Sequence, residues 1–178
     1  MNLADRLEPT EQVGPTLTRP AFVRPAVPGD ETRLRELRDR ALRDLGPSRG
    51  GAMYVERHAA ELPVLVADWS GAHRRVWLGG LEGEVVGYLL GAVVPLPSGA
   101  TLGVVEGIYV EREARACGIG ELLMSAAIDW FGGHGCVGIE ANALPGERDT
   151  KNFFEEHGLT AGLITVYRSL IDGDAARD

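Results

Sequence analysis

The sharpest change in the pattern of apolar and polar positions falls between residues 104 and 131 of this 178-residue chain. Val104–Val110 is rich in β-branched residues and predicts a strand. A charged, glycine-rich turn follows, and then come apolar residues at helical spacing: Ile119, Leu122, Leu123, Ala126, Ala127, Trp130 and Phe131. The pattern therefore predicts a strand, a loop and a helix with one buried face, in that order.

The residues ahead of this stretch predict a short strand and two helices. The strand is expected at Ala21–Arg24. Asp30 is placed to cap the first helix, which Gly46 and Pro47 end. The second helix is expected at Met53–Leu62.

Three consecutive antiparallel strands are predicted next. Arg75–Leu81 and Val85–Val94 are apolar runs, and residues 82–84 between them form a hairpin turn with a glycine available for positive φ. A second turn at Pro95–Ala100 leads into a strand at Thr101–Val110. These strands lead directly into the glycine-rich loop.

Beyond the central helix, Cys136–Ala141 is predicted to be a buried strand. It is expected to run parallel to Thr101–Val110, because a helix crosses over between the two. Thr150–His157 predicts a helix closed by Gly158. Leu163–Leu170 predicts a last strand.

The composition indicates one globular domain, with 44% apolar and 25% charged residues. We expect a flexible leader at residues 1–19, a single domain at 20–171 and a flexible tail at 172–178. The start of the chain lacks a basic-then-apolar signal pattern, and no apolar run is long enough to span a membrane. The expectation is a cytoplasmic protein with no membrane partner.

The formal net charge of −8 argues against a nucleic-acid partner, since such binding depends on clustered basic residues. The four histidines and two cysteines lack metal-ligand spacing, so no metal is expected. Acidic residues alternate with arginines along the first helix, which predicts a solvated helix face. Those arginines are Arg33, Arg35, Arg38, Arg40 and Arg43.

The loop between the central strand and helix has the composition of an anion site. It consists of Arg115, Ala116, Cys117, Gly118, Ile119 and Gly120. Two glycines let backbone N–H groups approach a ligand closely, and the N–H groups of a helix start are unpaired and carry the positive end of the helix dipole. The spacing fits neither a dinucleotide fingerprint nor a P-loop.

This loop resembles motif A of the GCN5-related N-acetyltransferase (GNAT) family. The motif reads Arg or Gln, two residues, Gly, one residue, then Gly or Ala, and Arg115, Gly118 and Gly120 match it. The resemblance extends over residues 22–170. It implies an α/β (α+β) fold with a mixed, mostly antiparallel sheet of about six or seven strands and helices on both faces. The two parallel strands would splay apart, with a bulge at Gly107.

The resemblance also implies acetyl-CoA as the cosubstrate. The loop 115–120 would hold the pyrophosphate, and the end of the preceding strand would pair its backbone with the pantetheine arm. A lysine could reach a coenzyme phosphate, and two amides could stand in for a family asparagine whose position Glu147 holds here. The coenzyme-contacting candidates outside the loop are Ile108, Tyr109, Val110, Asn142, Lys151 and Asn152.

Acetyl transfer to an amine requires a group that removes a proton from that amine. Glu106 lies four residues before Val110, where some family members place this base. The alternative is a strand-edge glutamate that faces water. The implied function is an acyl-CoA-dependent N-acyltransferase, moving acetyl directly from acetyl-CoA to a primary amine of a small molecule or of a protein or peptide.

The last predicted helix departs from the family pattern. The family's usual general acid is a tyrosine, and Phe154 holds that position here. The proton for the leaving CoA thiolate would then come from water, Tyr109 or Tyr167. A non-catalytic acyl-CoA-binding or sensing module of the same fold is therefore the alternative function.

The resemblance places the acceptor pocket near the segment between the first two helices. The candidates for contact with the acceptor are Tyr54, Glu56, Arg57 and His58. Pocket shape also depends on the loops at residues 46–52 and 95–100, so the acceptor and the preferred acyl chain stay open. Two-fold dimers are common in the family, which makes a homodimer one expected assembly.

Overall fold

The structure is a computed structural model that describes residues 20–58 and 71–168. Five strands and four α-helices lie within these residues. In chain order they are β1 (Ala21–Pro25), α1 (Glu31–Leu45), α2 (Gly51–His58), β2 (Arg74–Leu81), β3 (Glu84–Pro95), β4 (Thr101–Val110), α3 (Ile119–Gly133), β5 (Cys136–Ala141) and α4 (Arg148–Glu156). None of the helices in this described part of the chain is long and apolar enough to cross a membrane.

The strands form one sheet in the order β1-β2-β3-β4-β5. The first three pairings are antiparallel and the pairing of β4 with β5 is parallel. The predicted mixed α/β fold is confirmed, but six or seven strands is wrong for the described residues, which form five. The predicted last strand is one reason, because residues 163–168 are in no strand and 169–170 lie outside the described residues.

The other element predictions differ in smaller ways. The hairpin turn between β2 and β3 is confirmed, since Glu82 and Gly83 have φ of 54° and 90°, the left-handed conformation that two-residue hairpin turns require. Helix α2 begins at Gly51, two residues before its predicted start, and residues 59–62 of that prediction lie outside the described residues. The predicted leader 1–19 and tail 172–178 also lie outside them.

Helices cover both faces of the sheet, as predicted. One apolar cluster lies beneath α1 and another beneath α3. The α1 cluster comprises Leu34, Leu37, Val76, Leu78, Tyr88 and Leu90. The α3 cluster includes Trp77, Leu89, Val105, Ile119, Leu123, Met124, Ala127 and Phe131. Strand β4 contributes to both clusters, with Val105 and Ile108 on the α3 side and Tyr109 on the α1 side.

Strand β5 is not the buried strand that the sequence predicts. It is the last strand of the described sheet, and Val137 in it is 69% exposed. Its pairing with β4 runs from Thr101 opposite Cys136 to Val105 opposite Ala141. Strand β4 continues for five more residues after that point. The pairing therefore ends five residues before β4 does, because β5 itself ends at Ala141. The predicted splay of the two strands stays a prediction.

A bulge interrupts the pairing of β3 with β4 at Glu106. Leu90 lies opposite Gly107 while Gly91 lies opposite Val105, so Glu106 has no partner on β3. The bulge was predicted one residue later, at Gly107. It explains why Val105 and Ile108, three residues apart, both pack on the α3 side of the sheet.

The charged face of α1 is only partly the solvated surface that charge alternation predicts, because Arg35, Arg40 and Arg43 are exposed but other charges on the helix are not. Arg38 is buried, and Arg33 and Arg40 both donate to Oε1 of Glu111, at 3.0 and 2.5 Å. Glu111 follows β4 directly and is itself buried. Two arginines on one helix therefore neutralise a buried carboxylate on the sheet, because an unpaired buried charge would be far more costly.

Asp30 precedes α1 but does not cap it with its side chain. Its two carboxylate oxygens accept hydrogen bonds from the Arg24 guanidinium at 2.7 and 2.8 Å, and one of them also accepts from the backbone N–H of Val27. The hydrogen bonds from Arg24 hold the pKa of the Asp30 carboxyl below its usual value. Asp30 therefore holds the predicted N-cap position, but its carboxylate binds Arg24 of β1 and forms no side-chain cap.

Gly103 lets α3 approach the sheet, and replacing it tests that contact. A Cβ at Gly103 would lie 2.6 Å from the ring of Phe131, whereas a Cβ at Gly132 on α3 would meet no atom within 4 Å. We expect Gly103→Ala to lower the free energy of unfolding by about 1–3 kcal/mol, the usual cost of overpacking. Gly132→Ala should instead raise it by about 0.5–1 kcal/mol. Urea denaturation of both variants measures this, and equal effects would contradict the packing argument.

Candidate active site

The loop between β4 and α3 presents unpaired backbone N–H groups. Gly118 is the residue before α3 and has φ of 78°, a left-handed conformation that glycine adopts without strain. The first hydrogen bond into the helix runs from the N–H of Leu122 to the carbonyl of Gly118, and no side chain caps the helix. The N–H groups of the first helical turn thus stay available to an anion, at the positive end of the helix dipole.

Arg115 is the first residue of this loop, and its side chain contacts the end of β4. Its Nε donates to the carbonyl of Val110 at 3.0 Å, and its guanidinium carbon lies 5.9 Å from the centre of the Tyr109 ring. The carbonyl of Val110 fixes the direction of the arginine side chain. Its positive charge is consequently kept beside the helix start.

Asp44, in the last turn of α1, is the negatively charged residue that contacts Tyr109, Arg112 and Arg115. Its Oδ2 accepts hydrogen bonds from the Tyr109 hydroxyl at 3.1 Å and from Nε of Arg112 at 3.2 Å, and Nη2 of Arg115 lies 3.9 Å away. A cavity of 160 Å³ opens here. Its walls are formed by Arg40, Arg43, Asp44, Tyr109, Glu111, Arg112 and Glu113. Helix α1 therefore reaches the loop through charged contacts.

The environment of Tyr109 keeps its hydroxyl protonated. Burial raises the pKa of Tyr109, and the charge and hydrogen bond of Asp44 raise it further. Tyr88, directly opposite on β3, is more deeply buried, and burial raises its pKa to about 12. Of the two tyrosines suggested as proton donors, Tyr109 adjoins Arg115, whereas Tyr167 is exposed after α4.

Glu106 is partly buried and forms an ion pair with Arg74, so it is not the fully water-facing glutamate of the alternative interpretation. Its Oε1 accepts a hydrogen bond from Nη2 of Arg74 at 2.8 Å, while Oε2 is buried and has no hydrogen-bond partner in the described part of the chain. Glu106 occupies the bulge of β4, just beyond the last pair that β4 forms with β5. The carboxylate therefore stands where the sheet opens.

A model of the acetyltransferase (GNAT) family matches residues 34–159, which is more than half of the chain. The chain belongs to this family. The match includes β4, the glycine-rich loop and α3, so the resemblance inferred from Arg115, Gly118 and Gly120 is confirmed. A comparison with curated proteins finds no match.

Solved structures share the fold of this GNAT chain. Aminoglycoside N-acetyltransferase AAC(6')-Iy, in complex with a CoA bisubstrate analogue, is 17% identical with a TM-score of 0.62, covering 85% of this chain and 99% of that chain. An acetyltransferase from Trypanosoma brucei is 19% identical, with a TM-score of 0.60 and coverage of 85% and 100%. A transcriptional regulator from Bacillus halodurans is 20% identical, with a TM-score of 0.64 and coverage of 84% and 99%. At these identities the similarity shows the fold alone.

The structure brings most of the predicted coenzyme-contacting residues of this GNAT domain to one end of the sheet. Ile108, Tyr109 and Val110 lie in the part of β4 that β5 does not pair. Asn142 follows β5 immediately and is exposed. Helix α4 lies against the loop, since a Cβ at Gly120 would be 3.1 Å from the ring of Phe153. Their contacts with the coenzyme stay predictions.

The two predicted coenzyme-contacting residues on α4, Lys151 and Asn152, have no contact with the loop among the hydrogen bonds of the described residues. Asn152 and Lys151 are exposed, and Nζ of Lys151 donates to Glu155 at 2.6 Å, one turn further along the helix. Glu147, at the position where the family often has asparagine, accepts a hydrogen bond from the hydroxyl of Ser48. That contact ties the start of α4 to the connector between α1 and α2.

Phe154, which stands where the family usually has a tyrosine, is buried in the structure. Its ring is only 6% exposed and packs in the apolar cluster beneath α3. A phenyl group cannot donate a proton to sulfur, so this GNAT site has no acid at the usual place.

Three charged residues of the site were missed by the sequence interpretation. Arg74 lies at the start of β2, Asp44 at the end of α1, and Glu111 just after β4. Each contacts a partner far away in the sequence, for example 32 residues for Arg74 with Glu106 and 65 for Asp44 with Tyr109. No local periodicity signals such contacts, because they depend on how the strands and α1 are arranged.

The hydrogen bond between Tyr109 and Asp44 can be tested by titration. We expect Asp44→Asn to lower the pKa of Tyr109, because removing the nearby negative charge favours the phenolate, while burial keeps the pKa above the ordinary value of about 10. Ultraviolet titration of tyrosinate, with Tyr109→Phe to identify the signal, measures the shift. Asp39→Asn makes the same charge change on an exposed position of α1 and should leave the titration unchanged.

Proposed function

We propose that this protein is an acyl-CoA-dependent N-acyltransferase that transfers acetyl from acetyl-CoA directly to a primary amine. The observation that carries the proposal is the meeting of three features where β5 stops pairing with β4: an open strand edge, a glycine-rich helix start and a carboxylate. Val105 is the last paired residue, Glu106 follows it, and the loop begins five residues after Val110. Family membership supports acyl transfer in general.

The coenzyme would use the open edge and the helix start. Ile108–Val110 have no partner on β5, so the backbone groups on that edge suit the amide-bearing pantetheine arm, although the Val110 carbonyl already accepts from Arg115. The N–H groups after Gly118 suit the pyrophosphate. Arg115 would add a charge-assisted contact to a phosphate oxygen. AAC(6')-Iy, which shares the fold, has been solved in complex with CoA, and this supports a CoA-type cosubstrate.

Glu106 would act as the base. It accepts a proton from the acceptor ammonium, and the neutral amine nitrogen then attacks the thioester carbonyl carbon to form a tetrahedral intermediate, whose carbon–sulfur bond breaks when it collapses. The nitrogen loses its second proton as the tetrahedral intermediate collapses, and the leaving thiolate gains one. Overall, an ammonium and acetyl-CoA give an amide, free CoA and one proton.

The source of the thiolate proton differs from the family pattern because Phe154 is buried in the core. Within the described residues Tyr109 lies beside Arg115 of the loop, and its raised pKa keeps it protonated and able to donate. Water is the other donor. The acceptor belongs to a small molecule or to a protein or peptide.

The alternative function is an acyl-CoA-binding or sensing module without catalysis. The specific observation that favours it is Phe154, which removes the usual acid while the loop stays intact. Release of free thiol from acetyl-CoA in the presence of a broad amine panel distinguishes the two functions. Turnover supports the transferase, and coenzyme binding without turnover of any amine supports the module.

Gly118→Ala tests the role of the loop, with Gly99→Ala as a matched control. Both glycines have left-handed φ, 78° and 85°, and a Cβ at either would meet no atom within 4 Å. Each substitution should therefore cost roughly 1–2 kcal/mol of stability. Only Gly118→Ala places a methyl group beside the helix-start N–H groups, and we expect it to weaken acetyl-CoA binding about 10-fold or more, the worth of one charge-assisted hydrogen bond. Calorimetry showing equal affinity in both variants would exclude the loop as the pyrophosphate site.

Glu106→Gln tests the base. The variant should bind acetyl-CoA normally, because the side chain need not touch the coenzyme, and should acetylate a good acceptor about 10²–10⁴-fold more slowly. Glu140→Gln makes the same change at an exposed position of the neighbouring strand and should keep the wild-type rate. A Glu106→Gln enzyme with the wild-type rate would remove Glu106 from the mechanism.

A further inference from the structure

The candidate base carries its own counterion, and both partners are accessible from solvent. Nη2 of Arg74 lies 2.8 Å from Oε1 of Glu106, with the side chains 32% and 24% exposed. The second oxygen of Glu106 is buried, so Oε1 is the oxygen open to a substrate. Any amine that reaches Glu106 therefore meets the guanidinium of Arg74 at the same oxygen.

Arg74 is positioned by strand β2 on the side of the sheet that holds the candidate site. Val76, two residues further along β2, packs in the α1 cluster, so Arg74 shares that face. Arg75 points to the opposite face, where its guanidinium carbon lies 5.6 Å from the ring centre of Trp130. Within the described residues, Arg74 is the one cation that pairs with Glu106.

A half-exposed pair of opposite charges is complementary to a zwitterion. The ammonium of an amino acid can bind the carboxylate of Glu106 while its carboxylate binds the guanidinium of Arg74, so that charges alternate around the contact. A guanidinium also matches a carboxylate with two parallel hydrogen bonds. A polycationic acceptor would instead bring like charge next to Arg74, which disfavours its binding.

We propose that the amine acceptor is a free α-amino acid, whose carboxylate binds Arg74 and whose amino group is presented to Glu106. This inference rests on the proposed acetyltransferase function and narrows its acceptor. The transfer step is unchanged: the amino nitrogen forms the new bond to the acetyl carbon, Glu106 takes one of its protons, and the thiolate leaves. The product is an N-acetylamino acid.

The test compares acceptors that differ at the carboxylate, with each rate corrected for the fraction of neutral amine because the amino pKa also changes. Each of several amino acids is measured against its own amide and its decarboxylated amine, with acetyl-CoA as the donor and thiol release as the readout. We expect kcat/KM for the amino acid to exceed that for its amide by about 10- to 100-fold, the worth of a hydrogen-bonded contact between charged groups. The difference should lie mainly in KM, because the carboxylate contact is the same before and during transfer.

Variants of Arg74 test whether this residue causes the preference for the amino acid over its amide. Arg74→Gln should reduce the ratio of the two kcat/KM values to about one, and Arg74→Lys should keep part of it, because the charge remains but the paired hydrogen bonds are lost. Arg75→Gln removes the same charge from the opposite face of β2 and should keep the full ratio. Thermal unfolding of each variant shows that the fold is retained.

The outcomes separate this inference from the function on which it rests. Equal or faster turnover of the amides, or an unchanged ratio in a folded Arg74→Gln variant, overturns the amino-acid proposal and leaves the acetyltransferase proposal standing. Acetyl-CoA binding without turnover of any amine overturns both. A ratio that falls in Arg74→Gln but not in Arg75→Gln supports the proposal.

Discussion

The architecture of the site depends on where the parallel pairing of β4 and β5 ends. Once Val105 has paired with Ala141, the backbone groups of the rest of β4 no longer have β5 as a partner. A backbone N–H or C=O in such a position needs another partner, and an extended ligand can supply it. Helix α3 must start at this same end of β4, since it crosses over to begin the parallel strand. One change in strand direction thus brings together an open edge and a helix start.

Charge determines how α1 is attached to this end of the sheet. Glu111 is buried directly after β4 and is neutralised by Arg33 and Arg40 of α1. Asp44, near the end of the same helix, contacts Tyr109 and Arg112. Removing one partner of a buried ion pair is costly, so these contacts restrict movement of α1 relative to β4 more tightly than apolar packing alone would. Charged contacts therefore attach α1 to the end of β4 at two places, one at Glu111 and one at Asp44.

Features that depend on neighbouring residues were predictable from the sequence. The bounds of β4, the hairpin at Glu82 and Gly83, and the loop from Arg115 to Gly120 follow from periodicity and turn chemistry, which act over a few positions. The pairing of Arg74 with Glu106 was not predictable, because it depends on the arrangement of β2, β3 and β4. The prediction of a solvated face on α1 was only partly right for a similar reason, since alternating charges suit both a solvated face and a network of ion pairs.

The bulge at Glu106 has a consequence for how such a protein can change during evolution. In the residues before and after it, the pairing of β3 with β4 is regular, and Glu106 is the single residue without a partner. Loss of this one codon would leave Leu90 opposite Gly107 and Gly91 opposite Val105, with Val105 and Ile108 still on the same face. A lineage could therefore gain or lose the carboxylate by a one-residue insertion or deletion, without rebuilding the sheet that carries it.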